Sequence, residues 1–302
     1  MDFRTRQASN RRKALLLLAG MGCVISFSIW GVAYYLGYTG IGVVPIAVFM
    51  VVAGSWGSYY ASDRLVLTMT GARLVSEADA PQVHNLVEEM ALAAGLPKPR
   101  IAIVDDPAPN AFATGRDPEH GVIAFTTGIL QLMDREELQG VTAHELAHIG
   151  NRDTLVATVA ATTAGAIALI SDLAMRIGFF GGGDRRRSND SNNNPIVLVI
   201  AIVVLVLAPI AAILLKAAVS RSRESLADAT GVAFSRNPSG LRRALESLQQ
   251  NQTVVHARST AFAHLWIESP LDSSMGSKLF NTHPPLADRI AVLRQMEGQT
   301  AQ

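Results

Sequence analysis

The chain has 302 residues, of which 49% are hydrophobic and only 17% are charged, and its mean hydropathy is +0.25. This composition is more apolar than that of typical soluble domains and favours a membrane protein. The formal net charge is +1, so charge does not indicate a nucleic-acid partner. Cys23 is the only cysteine, which excludes an intrachain disulfide and a multi-cysteine metal site.

Four long apolar runs predict about four transmembrane helices, because a membrane-spanning helix needs about 20 such residues. Three runs are uncharged. The third contains only Asp172 and Arg176, which can pair on one helix face. The runs are residues 14–36, 41–60, 154–180 and 196–215.

The first two runs are predicted to form a helical hairpin with both ends in the cytoplasm. Both flanks of the hairpin are basic, from Arg4 to Lys13 before it and at Arg64 and Arg73 after it, and its connection is uncharged, as the positive-inside rule requires. A signal peptide is the alternative, but the apolar stretch is too long and a second run follows almost at once. Residues 185–187 are all arginine and lie in the polar loop 181–194. They conflict with this orientation unless the N-terminal signal dominates or runs three and four do not fully cross.

Outside the runs, the pattern mixes helices with short strands. Charged residues open the helix at 134, where the acidic first turn suits the helix dipole. In chain order, the sequence predicts a helix over 79–95, strands over 100–104, 111–115 and 121–126, and helices over 134–149, 226–250 and 283–296.

Two histidines and a glutamate lie on the predicted helix 134–149. His144 and His148 are four residues apart and therefore share a helix face. Glu145 is one position around and can reach a water on an ion held by both rings. The pattern H-E-x-x-H on a helix is the signature of zinc hydrolases, and two ordinary histidines are the alternative. Apolar neighbours give the helix a buried side, which favours the metal site.

A catalytic zinc site needs three protein ligands and an open position. We predict Glu224 as the third ligand. Asp228 lies four residues later on the same predicted helix face, where it can accept a hydrogen bond from the far nitrogen of a ligand histidine. The alternative is two carboxylates on a solvated helix face beside Arg221 and Arg223.

The position of these residues relative to the apolar runs supports one shared site. His148 lies a few residues before the third run, and Glu224 lies a few residues after the fourth. To meet at one ion, both must lie on the same side of the membrane. Two helices of about 20 residues form a hairpin that leaves and returns to the same surface. The runs are therefore expected to anchor the site at the membrane face.

Four sequence blocks follow one another along the chain: PNAFATG (109–115), HELAHIGNRDTL (144–155), SRSRESLAD (220–228) and THPPLADRI (282–290). Together with the paired apolar runs, they resemble the membrane-bound zinc metallopeptidases of the M48 family, most of all its bacterial HtpX group. The resemblance covers nearly the whole chain. One departure is Ser225, because the family usually has an aromatic residue after the ligand glutamate.

The resemblance implies an α+β fold of the zincin-like (gluzincin) type, mainly helical with a small sheet. It implies peptide hydrolysis with one Zn²⁺ per chain, held by His144, His148 and Glu224. Glu145 is the expected general base that takes the proton of the attacking water and delivers it to the leaving amine.

The oxyanion of the reaction needs a hydrogen-bond donor besides the metal. His283 and Arg289, in a block that recurs in the family, are the candidates, and His264 is a weaker one. The alternative for His283 and the two prolines after it is the start of a helix, since proline suits a first turn.

The segment Asn110, Ala111, Phe112 and Ala113 resembles the strand that lines the cleft in the family. An exposed strand edge can pair with an extended substrate through main-chain hydrogen bonds. Such pairing predicts loose sequence preference and a need for unfolded segments. The alternative is an internal strand with a turn at Gly115.

These predictions divide the chain into four parts. Residues 1–66 form an N-terminal transmembrane hairpin, and 67–153 form a cytoplasmic part with the histidine helix. Residues 154–219 form a second membrane hairpin with the loop 181–194, and 220–302 carry the third ligand.

The expected function is a membrane-embedded zinc endopeptidase of the bacterial inner membrane with a cytoplasmic active site. The resemblance implies that it degrades misfolded or damaged membrane proteins in quality control. Its expected partners are polypeptide substrates and the lipid bilayer, without nucleic acid. Two alternatives are a substrate-specific processing protease of the same family and a non-catalytic metal-binding membrane scaffold. Glu145 argues against the scaffold, since a binding site has no use for a general base.

Overall fold

Two stretches of chain on either side of residues 159–220 build the described structure. The computed structural model describes residues 63–158, 221–251, 266–267 and 284–300, with single positions between Ser9 and Tyr60. Its elements are β1 (Arg73–Leu74), α1 (Pro81–Ala94), β2 (Arg100–Val104), β3 (Ala111–Thr114), a 3₁₀ turn (Pro118–His120), β4 (Val122–Thr126), α2 (Thr127–Leu132), α3 (Arg135–Gly150), α4 (Arg221–Ser235), α5 (Pro238–Gln250) and α6 (Leu286–Thr300).

The strands form one small mixed sheet in the order β1-β2-β4-β3. The two central strands are parallel, with Arg100 opposite Val122 and Val104 opposite Thr126. β1 and β3 pair with them in antiparallel orientation and form the two edges. β3 is therefore an edge strand of this sheet, which excludes the internal-strand alternative for the described strands.

Alternating side chains of the sheet point into two different cores, as strand geometry requires. Ile123 and Phe125 of β4 face a core shared with α1, α3 and α5. Val122 and Ala124 face a second core with Phe112 and Trp266. The sheet thus separates the α3 side from the face covered by Trp266 and helical residues 63–70.

Helix α3 lies at the centre of the described structure and is buried on most of its faces. It contacts α1, α4, α5 and β3. A capping box fixes its start: the Glu137 main-chain nitrogen donates to Asp134 at 2.8 Å, and the Asp134 nitrogen donates to the Glu137 carboxylate at 3.0 Å. Such a cap contributes about 1 kcal/mol and sets which residues of α3 face inward.

Helix α4 packs on α3 at very short range because Gly231 has no side chain. A Cβ on Gly231 would lie 2.9 Å from the main-chain nitrogen of His144 and 3.1 Å from its Cα. Gly231 is seven residues after Glu224 and three after Asp228, so all three share one helix face. The close contact at Gly231 therefore brings both carboxylates up to His144.

The predicted helix 226–250 was wrong in one respect, because the structure has two helices there. α4 ends at Ser235 and α5 starts at Pro238. Proline disfavours a helical residue before it, and the Asn237 side chain caps α5 by accepting from the Gly240 nitrogen at 3.3 Å. The last helix starts at Leu286 rather than at 283. Strand β1 and helix α2 were not predicted.

The four apolar runs fall almost entirely outside the described residues, as does the loop 181–194. Among the helices within the described ranges, none combines the length and hydropathy needed to cross a membrane. The four parts of the chain proposed from the sequence stay a prediction.

Replacing Gly231 by alanine should lower the melting temperature, since the added methyl meets the backbone of α3 rather than a movable side chain. Overpacking of this kind costs about 1–3 kcal/mol. Thermal unfolding of the detergent-solubilised protein measures it. Gly298→Ala in α6 is the matched control, because nothing lies within 4 Å of its added Cβ. A Gly231→Ala protein that melts with the wild type would contradict the close packing.

Candidate metal centre

Three side chains from two helices converge at the contact between α3 and α4. His144 and His148 lie one helical turn apart on α3, and Glu224 lies in the first turn of α4. Each of the three residues has one potential ligand atom that lies within 4.8 Å of those of the other two. His144 and Glu224 are 1% and 5% exposed, and His148 is partly buried. The structure thus unites residues that are 80 positions apart in the sequence.

The distances among these atoms suit a metal ion. The Nε2 atoms of His144 and His148 are 3.2 Å apart, and each lies 3.6 Å from an oxygen of Glu224. Bonds of about 2.0–2.1 Å to a tetrahedral ion place two ligand atoms about 3.3 Å apart. The trio therefore matches the edges of a tetrahedral coordination shell with little movement.

The protonation pattern of the two rings also favours a cation. His144 Nδ1 lies 3.0 Å from Asp228 and His148 Nδ1 lies 3.4 Å from Asp153. A carboxylate accepts a proton there, so each neutral ring carries its hydrogen on Nδ1 and a lone pair on Nε2. Two lone pairs and the Glu224 carboxylate then point at one another. Such an arrangement is repulsive unless a cation lies between them.

Burial and the nearby charges shift the pKa of His148 and of Asp228 in opposite directions. Burial lowers the pKa of His148, but the hydrogen bond to Asp153 and the charges of Glu224, Asp153 and Glu145 outweigh it and raise that pKa to about 9. Burial raises the pKa of Asp228, but the Arg289 charge and the hydrogen bond with His144 lower it to about 2. Asp228 is therefore ionised at neutral pH and can hold the Nδ1 proton of His144.

Glu145 is 2% exposed and lies on α3 between the two histidines. Burial raises the pKa of its carboxyl group, although the nearby histidines lower it in part. A raised pKa suits a group that takes up a proton near neutral pH. This position is where the sequence predicted the general base.

Arg289 lies behind the metal ligands rather than in an open cleft, and it is 3% exposed. Its Nε and Nη2 atoms donate to both oxygens of Asp228 at 2.9 and 2.6 Å. Its Nη1 atom is 3.6 Å from Glu224. The guanidinium therefore holds the carboxylate that holds His144. Its predicted role as oxyanion donor stays untested, and these contacts favour positioning instead.

The predicted substrate segment lies at the edge of the sheet but is not fully open. Asn110, Ala111, Phe112 and Ala113 are all at most 5% exposed. The Thr126 nitrogen donates to the Asn110 oxygen at 2.9 Å, so alternation turns the main-chain groups of Ala111 and Ala113 outward. The Ile267 nitrogen already donates to the Ala111 oxygen at 2.9 Å.

The remaining predicted candidates, His283 and His264, lie outside the described residues. Sequence reasoning did not assign a role to Asp153 or Arg223. Asp153 was present in the quoted block after His148, but it is five residues from that histidine and so does not share its helix face. Only the turn after α3 brings it back to the ring.

The family model for peptidase family M48 matches residues 77–297. The chain belongs to peptidase family M48. This confirms the family predicted from the four sequence blocks, and the chain is accordingly a metalloprotease. The mainly helical α+β domain with a small sheet is confirmed as well. Its zincin-like assignment stays a prediction.

Two curated relatives of this M48 chain are each named protease HtpX homolog. The relative from Syntrophobacter fumaroxidans is 44% identical over 253 residues, which cover 83% of this chain and 89% of the relative. The relative from Thermoanaerobacter pseudethanolicus is 41% identical over 291 residues, which cover 96% of each.

One solved structure is similar in fold. The crystal structure of S. mikatae Ste24p matches with a TM-score of 0.51 and 18% identity. The match covers 96% of this chain and 66% of that one, so this chain spans just under two thirds of the Ste24p length. At this identity the likeness shows the fold alone.

Zinc affinity should rise with pH. In the metal-free protein the His148 pKa is raised from 6.5 to about 9. The protonated form therefore stabilises the metal-free fold fully below pH 6.5, and this contribution is lost as the pH rises towards 9. Zinc must displace that proton, so the apparent affinity should rise by up to about tenfold per pH unit up to pH ~9 and then level off.

Chelator competition with the purified protein, corrected for the chelator's own protonation, measures this profile. His120→Gln is the control, because His120 is a half-exposed histidine paired with Asp117 outside the site. It should keep the wild-type profile. An affinity that stays flat from pH 7 to 9 would contradict the protonated state of His148.

Proposed function

We propose that this protein is a membrane-embedded zinc endopeptidase whose active site faces the cytoplasm and which degrades misfolded or damaged membrane proteins. The observation that carries the proposal is the convergence of buried His144, His148 and Glu224 at tetrahedral distances. Glu145 lies beside them in a chain of the M48 family.

The membrane assignment is supported by the apolar runs and by a few described positions within them. Leu15, Leu16 and Phe49 are helical, and they are 58%, 71% and 73% exposed. Exposed large apolar side chains are unfavourable in water and favourable in lipid, which agrees with the membrane assignment. His148 and Glu224 flank residues 159–220, and the Nε2 atom of His148 lies 3.6 Å from a carboxylate oxygen of Glu224. This proximity supports a hairpin that leaves and returns to one membrane face.

The donor set suits zinc, because two imidazoles and one carboxylate form a typical catalytic zinc site. When bound, zinc supplies Lewis acidity that makes water more acidic and polarises a carbonyl. Glu145 takes the proton of the attacking water and holds it until the leaving amine accepts it. The burial that raises the pKa of Glu145 makes its carboxylate a stronger base for the first step, the uptake of the proton from water.

Asp228 holds the Nδ1 proton of His144 and thereby aims the Nε2 lone pair at the metal position. Arg289 keeps Asp228 ionised and fixed by two hydrogen bonds. Because two of its three nitrogen atoms are held by Asp228, we propose Arg289 as a positioning residue and keep His283 as the candidate oxyanion donor.

The edge strand supports substrate binding through the main chain. The side chains from Asn110 to Ala113 are buried, so they offer little surface for side-chain specificity. The outward main-chain groups of Ala113 can pair with an extended peptide. Recognition of backbone suits many unfolded sequences, which agrees with a role in quality control.

Glu145→Gln should keep zinc and lose hydrolysis, because the amide cannot take up a proton. Metal content by elemental analysis and casein cleavage in detergent measure the two effects. Cleavage should fall by about 10²–10⁴-fold, and a chelator should abolish it in the wild type. Glu136→Gln is the control, since Glu136 lies on the same helix with its side chain 61% exposed.

Full cleavage by Glu145→Gln would remove Glu145 from the mechanism. A wild type that binds zinc but cleaves nothing under any condition would instead favour the metal-binding scaffold. Selective cleavage of one substrate with casein left intact would favour a processing protease.

Arg289→Met should weaken zinc binding if Arg289 positions Asp228. Losing such an outer partner typically costs 10- to 100-fold in metal affinity. An oxyanion donor would behave differently, with unchanged zinc affinity and a kcat lower by about 10²–10³-fold. Chelator competition and steady-state kinetics separate the two results. Arg294→Met is the control, because Arg294 lies on the same helix with its side chain 65% exposed.

A further inference from the structure

We propose that Asp153 is a positioning residue for His148, and that Arg223 holds Asp153 in place across the two ends of residues 159–220. The proposal rests on the proposed zinc site and extends it to two residues that no motif assigns. It also makes the second histidine ligand depend on the segment that contains the two later apolar runs.

Asp153 reaches His148 only because the chain turns sharply after α3. In a continued α-helix, a residue five positions on would lie about 140° around the axis from His148. The structure instead has Arg152 in the left-handed region with φ of 57°. A residue other than glycine is disfavoured in this region. The turn redirects the chain and places Asp153 Oδ2 at 3.4 Å from His148 Nδ1.

Asp153 is well placed to fix the ring of His148. Its side chain is 6% exposed and that of His148 is 15% exposed, so water competes little for this hydrogen bond. A donor on Nδ1 leaves the lone pair on Nε2, the atom that lies 3.2 Å from Nε2 of His144. Asp153 therefore sets both the tautomer and the direction of the metal-facing atom.

Arg223 compensates the buried charge of Asp153. Its Nε atom lies 3.8 Å from Asp153 Oδ1, and its side chain is 13% exposed. A buried carboxylate is costly without a cationic partner. Arg223 is adjacent to the ligand Glu224 in the sequence, so the same helical turn supplies both a ligand and the partner of Asp153.

The same arrangement occurs on the other histidine. His144 Nδ1 faces Asp228, and Asp228 is held by Arg289. His148 Nδ1 faces Asp153, and Asp153 is approached by Arg223. Within the part of the chain that the structure describes, each ligand ring thus has a buried carboxylate beside its Nδ1 atom, and each of these carboxylates has a guanidinium near it. The repetition on an independent pair of residues supports a positioning role.

The ion pair of Asp153 and Arg223 also connects two parts of the chain that are far apart in the sequence. Asp153 lies just before residues 159–220 and Arg223 lies just after them. The ion pair therefore joins the outgoing and returning ends of this segment directly beneath a metal ligand. A movement that separates the two ends would withdraw Asp153 from His148 and weaken the metal site.

The test compares zinc affinity in the full-length protein in detergent. Asp153→Ala removes the acceptor, whereas Asp153→Asn keeps an oxygen for the Nδ1 proton and loses the charge. We expect zinc affinity to fall by about 10- to 100-fold in Asp153→Ala, and by less in Asp153→Asn. Arg135→Met is the control for Arg223→Met, since its guanidinium lies in an exposed pair with Glu89.

A second readout is specific to the geometry of the site. The visible absorption of the cobalt-substituted protein reports on the ligand field and does not respond to a general loss of stability. We expect altered cobalt bands in Asp153→Ala and recovery towards wild type in Asp153→Asn. Equal zinc affinity and unchanged bands in Asp153→Ala would overturn the proposal. If Asp153→Ala does not fold, the zinc affinity of Asp153→Asn decides, because loss of the charge should still lower it below that of the wild type, and an equal affinity would overturn the proposal.

A double variant that combines Asp153→Ala with Arg223→Met tests the link between Asp153 and Arg223. If Arg223 acts through Asp153, the combined loss of zinc affinity should be smaller than the product of the single losses. Independent losses would overturn the linkage. Failure of the proposed zinc site is distinguishable, because the wild type itself would then bind no stoichiometric zinc.

Discussion

Mutual repulsion among three acceptors is the constraint on which this structure depends. Two imidazole lone pairs and one carboxylate are brought within 3.2 to 3.6 Å of each other in a buried position. With both imidazoles neutral, that arrangement is unfavourable until a metal ion or a proton on His148 joins the three groups. Helix α3 is fixed by its capping box, and α4 is drawn onto it at Gly231. The packing of the domain thereby holds the ligands where a metal can bind, so binding energy is not consumed in assembling the site.

Charge balance explains why the site contains so many buried ionic groups. Glu145, Glu224, Asp228 and Asp153 are all at most 5% exposed. Among the described residues, Arg289 and Arg223 compensate two of these four carboxylates, and a bound divalent cation would compensate the other two. The balance is neutral with both histidines uncharged. Without the metal, the excess of negative charge is what raises the pKa of His148, so proton and metal compete for the same place.

Local patterns in the sequence predicted much of the fold. The strand at 100–104 and the helix carrying the histidines match the structure almost residue for residue, because alternation and capping are local properties. The break between α4 and α5 was missed although Asn237 and Pro238 signal it. Strand β1 has only two residues, which are too few to show the alternation of side chains that predicts a strand. Its identity comes from pairing with β2, which periodicity cannot reveal.

The sequence by itself determined the metal-ligand candidates and the family, because H-E-x-x-H spacing on a helix places both rings on one face without help from the rest of the chain. The sequence also proposed Asp228 as a partner of a ligand histidine, but only the tertiary structure decided which histidine it meets and which other residues lie behind the ligands. Arg289 meets Asp228 across 61 residues, and Asp153 returns to His148 through the left-handed turn at Arg152. Such contacts depend on helix packing and on one backbone angle, and neither follows from residue spacing.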